Sequence, residues 1–97
     1  MGLSASDLVA AVRNTFGERI CDSHDHRGDA TVVVRREDAI DVLRELRDRA
    51  EFGFNFLIDV TAVDYLGKTP RFEVVYHLFS LPQKHRLRVK IGVPEGD

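Results

Sequence analysis

Four side chains that can bind a metal ion are close together in the sequence: Cys21, His24, Asp25 and His26. Thiolate, imidazole and carboxylate groups are the usual protein ligands of zinc. A structural zinc site, however, takes four ligands in separated pairs such as Cys-x-x-Cys, and both histidines fall in a predicted turn. We therefore interpret the segment as an ordinary polar turn, with Cys21 as a small core residue, and we predict no metal site in this chain.

Asp59 and His77 are the best candidates for acid–base chemistry, since a carboxylate beside an imidazole can orient a general base. They lie in two neighbouring predicted strands, and a loop between Tyr65 and Arg71 would place them opposite each other on one face. The pattern places no Ser or Cys nucleophile beside them. We interpret the pair as a cross-strand contact that contributes about 0.2 to 1 kcal/mol, and we predict no catalytic residue.

Basic side chains alternate along the last predicted strand and the turn before it: Lys84, Arg86, Arg88 and Lys90. With Tyr76 and Phe79 on the neighbouring strand, they could form an RNA-binding face that stacks bases on aromatic rings. The consensus of RNA-binding sheets is absent, and a net charge of -2 gives no general attraction for nucleic acid. Two interpretations remain open, a solvated sheet edge and a protein docking surface.

No sequence motif for a redox cofactor is present. The chain has no Gly-rich phosphate loop, no G-x-G-x-x-G, no Cys-x-x-Cys and a single cysteine. We therefore expect no nicotinamide, flavin, quinone or iron–sulfur cluster bound to this chain. The apolar runs are far shorter than the roughly 20 residues needed to cross a bilayer, so we expect any membrane contact to be indirect.

The N-terminal half predicts two helices separated by a β-hairpin. Ser4 as the N-cap and Gly17 as the stop bound a first helix with the apolar stripe Leu8, Val12 and Phe16. Residues 18–23 and 31–34 predict the two strands of the hairpin. A second helix begins at Asp38 and carries the stripe Ile40, Leu43, Leu46 and Ala50.

The C-terminal half predicts three strands over residues 56–63, 72–79 and 86–93. In each, two sets of side chains alternate with a period of two, as expected for a strand whose faces have different environments. The fold class is therefore α+β, in the order α-β-β-α-β-β-β, with two helices packed on one face of a largely antiparallel sheet. The strand residues predicted to face the helices are Phe56, Val60, Phe72, Val74, Tyr76, Leu87, Val89 and Ile91. Those predicted on the opposite face are Leu57, Asp59, Val63, Val75, His77, Phe79, Arg86 and Arg88.

The apolar residues on that opposite face predict a docking surface. A small domain rarely exposes a contiguous apolar patch unless a partner covers it. The candidates for a partner interface are Leu57, Val75, His77, Phe79, Arg86 and Arg88. We also expect the isolated domain to hide the patch by self-association.

Three segments of the C-terminal half read FNFLIDVTAVDYLG, PRFEVVYHLFSL and RLRVKIGV. Over Phe54–Tyr65, Arg71–Leu81 and Arg86–Val93 the chain closely resembles the N-terminal domain of the C subunit, or 30 kDa subunit, of the proton-pumping NADH:quinone oxidoreductase, respiratory complex I. Related subunits of membrane-bound hydrogenases share the pattern, and a looser match extends back through Glu37–Asp48. Three matching segments in order make the resemblance specific, whereas any single one would be weak.

The resemblance implies that residues 1–97 form a single domain of a non-catalytic, structural subunit. Its place would be in the hydrophilic arm, peripheral on the cytoplasmic side of the inner membrane, near the terminal iron–sulfur cluster and the quinone site. Neighbouring cluster-bearing and quinone-site subunits would be its partners, and the iron–sulfur clusters, FMN, NADH and quinone would belong to the rest of the complex.

Family members continue past the position of Asp97 into an acidic Glu-Arg-Glu segment, so we expect an isolated N-terminal domain or a truncated form of the subunit. The alternative is a standalone α+β binding or regulatory module for a small ligand or RNA. An independent hydrolase that uses Asp59 and His77 is the third hypothesis.

Overall fold

The computed structural model describes residues 4–68 and 72–93, apart from the side chain of Phe56. The helices are α1 (Ala5–Phe16) and α2 (Ala39–Asp48), and the strands are β1 (Ile20–His24), β2 (Thr31–Val34), β3 (Phe56–Asp64), β4 (Phe72–Ser80) and β5 (His85–Val93). The predicted order of elements and the α+β class are confirmed. The core prediction for Phe56 and the loop end predicted at Arg71 lie outside what is described.

The first helix begins and ends where the sequence predicts. The Ser4 hydroxyl accepts a hydrogen bond from the backbone N–H of Asp7 at 3.2 Å, which satisfies one of the free donors of the first turn. Gly17 follows Phe16 with a φ of 57°, a conformation that a residue with a Cβ adopts only with strain. The chain can therefore turn sharply into β1.

The sheet has the strand order β1-β2-β5-β4-β3. β2 and β5 run parallel, and the other neighbouring pairs are antiparallel. The last strand thus lies in the middle of the sheet, with both helices on one face. The predicted core residues that are buried there are Leu8, Val12, Phe16, Leu46, Leu87, Val89 and Ile91.

The apolar stripe predicted for α2 is wrong at Ile40 and Ala50. Ile40 is 70% exposed, and Leu43 is half-buried. Ala50 is exposed because the helix has already ended at Asp48. The residues that the helix buries are Ala39, Val42 and Leu46, a stripe rotated away from the predicted one.

The prediction that Val60 of β3 is buried is also wrong. Val60 is 44% exposed, and the side chains of residues 57–64 are all exposed. The reason is topological, since β5 occupies the centre and leaves β3 as an outer strand. Three residues of the adjacent β4 that were also predicted as core are only half-buried: Phe72, Val74 and Tyr76.

A β-bulge at Ile58 reverses the face predicted for Leu57. The strand pairing joins Leu57 to Leu78 and Asp59 to His77, which leaves Ile58 as the extra residue. Leu78 belongs to the core beneath the helices, so Leu57 lies on the same, helix-facing side. Asp59 keeps its predicted place on the opposite side, which we name the helix-free face.

The segment between α2 and β3 contains core residues that the sequence pattern did not reveal. Phe52 and Phe54 are buried. The ring centroids of Phe16 and Phe52 are 6.2 Å apart, and those of Phe54 and His85 are 4.8 Å apart. Nε2 of His85 also donates to the carbonyl of Phe52 at 3.1 Å. These rings connect α1, the segment after α2 and the start of β5.

Leu87→Ala should lower the free energy of unfolding by about 2 to 5 kcal/mol, because it removes a large side chain from the buried centre. Val60→Ala, on the exposed outer strand, should cost about 1 kcal/mol or less. Urea unfolding followed by circular dichroism measures both values. Equal losses in the two variants would contradict the position of β3 at the sheet edge.

The stability contributed by Glu45 should depend on pH. Hydrogen bonds from Arg19, at 2.8 Å, and then from Arg49 lower the pKa of this carboxyl below its ordinary value. A lowered pKa stabilises the fold at pH values above the ordinary glutamate pKa of about 4.3, and the effect disappears as the pH falls through the lowered pKa.

Glu45→Gln should therefore lower the melting temperature at pH 7, with a difference from the wild type that shrinks on acidification. Glu18→Gln, at an exposed position, is the matched control, and its melting temperature should differ little from the wild type at pH 7 or at acidic pH. A Glu45→Gln difference that stayed constant down to pH 3 would contradict a role for the ionised carboxylate.

Candidate functional site

A row of polar side chains crosses the helix-free face. Strand pairing aligns one residue from each strand in the order His24, Thr31, Arg88, His77 and Asp59. The predicted placement of Asp59 opposite His77 is confirmed. The hydroxyl in this row belongs to Thr31, whose side chain is fully buried and cannot reach a substrate. Within this row, Asp59 and His77 therefore have no accessible hydroxyl beside them.

Two residues of the apolar patch predicted on this face, Val75 and Phe79, lie beside the chain's own charged side chains, whereas Val63 is 37% exposed. Val75 is 5% exposed, and beside it Nζ of Lys90 lies 3.8 Å from a carboxylate oxygen of Glu73. Phe79 is half-buried, with the guanidinium carbon of Arg86 5.7 Å from its ring centroid. Long cationic side chains shield apolar surface with their alkyl stems while their charges stay in water. The predicted exposure of Val75 is therefore wrong.

A cleft of about 510 Å³ opens at one end of the sheet. Nη2 of Arg88 lies 3.9 Å from Oδ2 of Asp29, so part of its positive charge is balanced within the chain. The charged and imidazole-bearing lining of the cleft includes Asp29, Asp59, His77, Lys84, Arg86 and Arg88. Cations mixed with carboxylates match a polar protein surface of mixed charge, and such complementarity gives specificity.

The segment predicted as a polar turn differs from its prediction at His24, which lies in β1 and not in the turn, and at Cys21, which was predicted as a core residue. The thiol is exposed, because Cys21 is the extra residue of a bulge in an outer strand. The rings of His24 and His26 are 5.0 Å apart, and the backbone N–H of His26 donates to Nδ1 of His24. Over residues 4–68 and 72–93, no group of three or more His, Cys, Asp or Glu side chains is placed to hold a metal ion.

An apolar groove of about 380 Å³ lies on the other side of the sheet, between α2 and the β3–β4 pair. Two of its apolar side chains are well exposed, since Leu57 is 53% and Ile40 is 70% accessible. The sequence pattern assigned Ile40 to the buried stripe of the second helix and Leu57 to the sheet face opposite the helices. The structure places both beside this groove. The residues that line the groove are Ile40, Leu43, Arg44, Arg47, Phe54, Asn55, Leu57, Tyr76 and Leu78.

Two arginines lie along this groove, and Asp48 balances part of their positive charge. Among its described lining residues are two arginines and no carboxylate. Nε of Arg47 donates to Oδ1 of Asp48 at 2.7 Å, and this contact raises the pKa of Arg47 and lowers the pKa of Asp48. Arg44 is exposed one turn earlier on α2. The groove thus combines an apolar floor with cationic side chains.

One signal in the sequence could have revealed the groove. Residues 39–46 contain five apolar side chains, which is more than a single buried stripe of that length requires. The surplus residues are Ile40 and Leu43, which the structure places in the groove. The bulge that moves Leu57 beside them leaves no mark in the apolar pattern.

Comparison with known proteins finds a family model and curated relatives. The model described as respiratory-chain NADH dehydrogenase, 30 Kd subunit, matches residues 32–97. The C subunit of the NADH-quinone oxidoreductase of Citrifermentans bemidjiense is 48% identical over 89 residues, covering 92% of this chain and 54% of that protein. Its counterpart from Roseiflexus sp. is 45% identical over 95 residues, covering 98% and 55%. The chain spans about half the length of the curated relatives it matches.

A solved structure shares the fold. A chain of the membrane-bound sulfane sulfur reductase, an archaeal respiratory membrane complex, aligns with a TM-score of 0.73 and 22% sequence identity. The alignment covers 92% of this chain and 49% of that one. Within residues 4–68 and 72–93, neither helix is long and apolar enough to span a membrane.

Cysteine labelling should distinguish an exposed position on the helix-facing side of the sheet from a buried position on the helix-free face. In a Cys21→Ser background, a cysteine replacing Leu57 should react with maleimide several-fold faster than one replacing Val75, because only the first position is well exposed. Mass spectrometry over a time course measures both rates, and both variants should react alike in urea. Similar rates in the folded proteins would contradict the burial of Val75.

Proposed function

The chain belongs to the 30 kDa subunit family of the respiratory-chain NADH dehydrogenase, and from this premise we propose that it is a structural, non-catalytic part of a respiratory NADH:quinone oxidoreductase. The observation that carries the proposal is the family match over residues 32–97. That range includes α2 and β3 to β5, and therefore most residues of the helix-free face and the whole lining of the groove.

Its proposed role is to hold neighbouring subunits at a fixed spacing. The helix-free face and the groove lie on opposite sides of one sheet, and the sheet's central strand is paired on both edges. Two neighbours bound to these surfaces would be separated by a hydrogen-bonded layer that resists bending. Such a role needs no reacting group on this chain.

The neighbours that we propose are the subunits that carry the terminal iron–sulfur cluster and form the quinone site. Residues 1–97 would be the N-terminal domain of the subunit, placed in the hydrophilic arm and held peripherally at the cytoplasmic side of the membrane. The support for this placement is the resemblance of three segments, which correspond to most of β3, β4 and β5.

On the helix-free face, five of the candidate interface residues lie together: Val75, His77, Phe79, Arg86 and Arg88. Val75 is buried, so a partner would meet the surrounding charges and the partly covered ring of Phe79. Mixed charges of this kind fix the orientation of a partner more than they add affinity.

Phe79→Asp in the full-length subunit should weaken its assembly into the complex, because it removes the ring under Arg86 and adds a charge to the proposed contact. Affinity purification of the tagged subunit, followed by quantification of the cluster-bearing and quinone-site subunits, measures the recovery. Arg86→Glu, at a more exposed position, tests the same face with less risk to folding.

Leu66→Asp is the control, since Leu66 is exposed in the loop after β3. Circular dichroism checks the fold of each variant. If the wild-type subunit recovers no other subunit of the oxidoreductase, the proposed function is wrong. If folded Phe79→Asp and Arg86→Glu variants both recover as much as the control, the helix-free face is not the docking surface.

A further inference from the structure

The outer edge of β3 is open along a nine-residue strand. Among the described residues no strand pairs with this edge, and the side chains of residues 57–64 are exposed. Its sequence, FLIDVTAVD, contains no Lys or Pro, which commonly protect an edge from further pairing, and its charged residues are Asp59 and Asp64. The bulge at Ile58 interrupts pairing only near the start of the strand. Residues 59–64 therefore present a regular edge.

The groove continues into this edge. The pairing of Leu57 with Leu78 and of Val60 with Tyr76 places all four side chains on the helix-facing side. Leu57, Leu78 and Tyr76 line the groove, and Val60 is the next exposed residue along β3 on the same side. A strand added at the edge would point alternate side chains to this side, within contact distance of Leu57 and Val60.

Charge distinguishes the two sides of such an added strand. On the groove side the charged residues beside Leu57 are Arg44 and Arg47 of α2, and Asp64 lies on the same side at the far end of β3. On the helix-free side, β3 presents the carboxylate of Asp59. A carboxylate on the added strand is thus favoured on the groove side near Arg44 and Leu57, and it is repelled beside Asp59 on the other side.

We propose that the outer edge of β3 and the adjoining groove bind an extended segment of a neighbouring subunit, which adds to the sheet as a sixth strand. One apolar side chain of this segment would enter the groove beside Leu57, and a carboxylate on the same face would lie near Arg44. Main-chain hydrogen bonds give affinity in this mode, and the side-chain contacts give selectivity. The proposal rests on the proposed function, since it requires a complex that supplies the segment.

The first test compares two leucines of nearly equal exposure in the full-length tagged subunit. Leu57 is 53% exposed in the groove, and Leu81 is 57% exposed in the turn between β4 and β5. Leu57→Asp should reduce the recovery of the neighbouring subunit on the order of tenfold, as expected for loss of a central interface contact, whereas Leu81→Asp should not. Equal recovery from the two folded variants would overturn the proposal.

The second test concerns charge. Arg44→Glu should reduce recovery, and the reduction should be largest at low salt because the contact is partly exposed. Arg27→Glu, in the turn between β1 and β2, is the control for a lost surface arginine. If the two arginine variants behave alike at every salt concentration, the carboxylate assigned to the segment is wrong.

The third test identifies the occupant and its conformation. A photo-crosslinking amino acid at position 57 should join the chain to one segment of another subunit, with alternating apolar residues and a carboxylate. Amide exchange at residues 59–64 should be slower in the complex than in the free protein. A crosslink to a second copy of this chain, a crosslink to a helix, or unchanged amide exchange would each overturn the proposal.

These outcomes separate the two hypotheses. If the wild-type subunit recovers no neighbouring subunit, the proposed function is wrong, and the proposal of a sixth strand is wrong as well. In another outcome, the wild type assembles and Phe79→Asp reduces the recovery of neighbouring subunits, while Leu57→Asp and Leu81→Asp give equal recovery. That combination would show that only the strand proposal is wrong.

Discussion

The parallel pairing of β5 with β2 is the constraint on which the rest of the structure depends. It places the last strand in the centre and aligns Val32 with Val89 and Val34 with Ile91 beneath the helices, where all four are buried. A parallel pair cannot be closed by a tight turn, so the chain between the two strands must form a long crossover. α2 makes the return over one face, and β3 and β4 form the outer hairpin that leads back to β5.

The open groove follows from this arrangement and from the lengths of the elements. α2 has 10 residues, and β3 has 9. At about 1.5 Å per helical residue and about 3.3 Å per strand residue, the helix is roughly half as long as the strand. The hairpin therefore extends past the helix that packs beside it. This explains why Phe72 and Val74 are only half-buried and why Val60 is exposed.

Local features of the fold could be predicted from the sequence, because they depend on neighbouring residues. The Ser4 cap, the Gly17 stop and the alternation in β5 each act within a few positions, and all three are confirmed. Features set by distant contacts could not be predicted. The bulge at Ile58, which separates Leu57 from the other interface candidates, depends on the register of β3 against β4. The burial of Phe52 depends on α1 and on His85, far away in the sequence.

The helix-free face and the groove differ in the contacts that a bound partner would have to replace. On the helix-free face, Lys90 is already near Glu73 and Arg88 near Asp29, so a partner must replace contacts that the free chain has made. Removing such charges from water offsets much of the attraction that they gain. The groove has exposed Leu57 and Ile40, whose burial is favourable without replacing any polar contact. If both surfaces bind neighbouring subunits as proposed, the groove would supply most of the affinity, and the charged row would determine which neighbour fits and in what orientation.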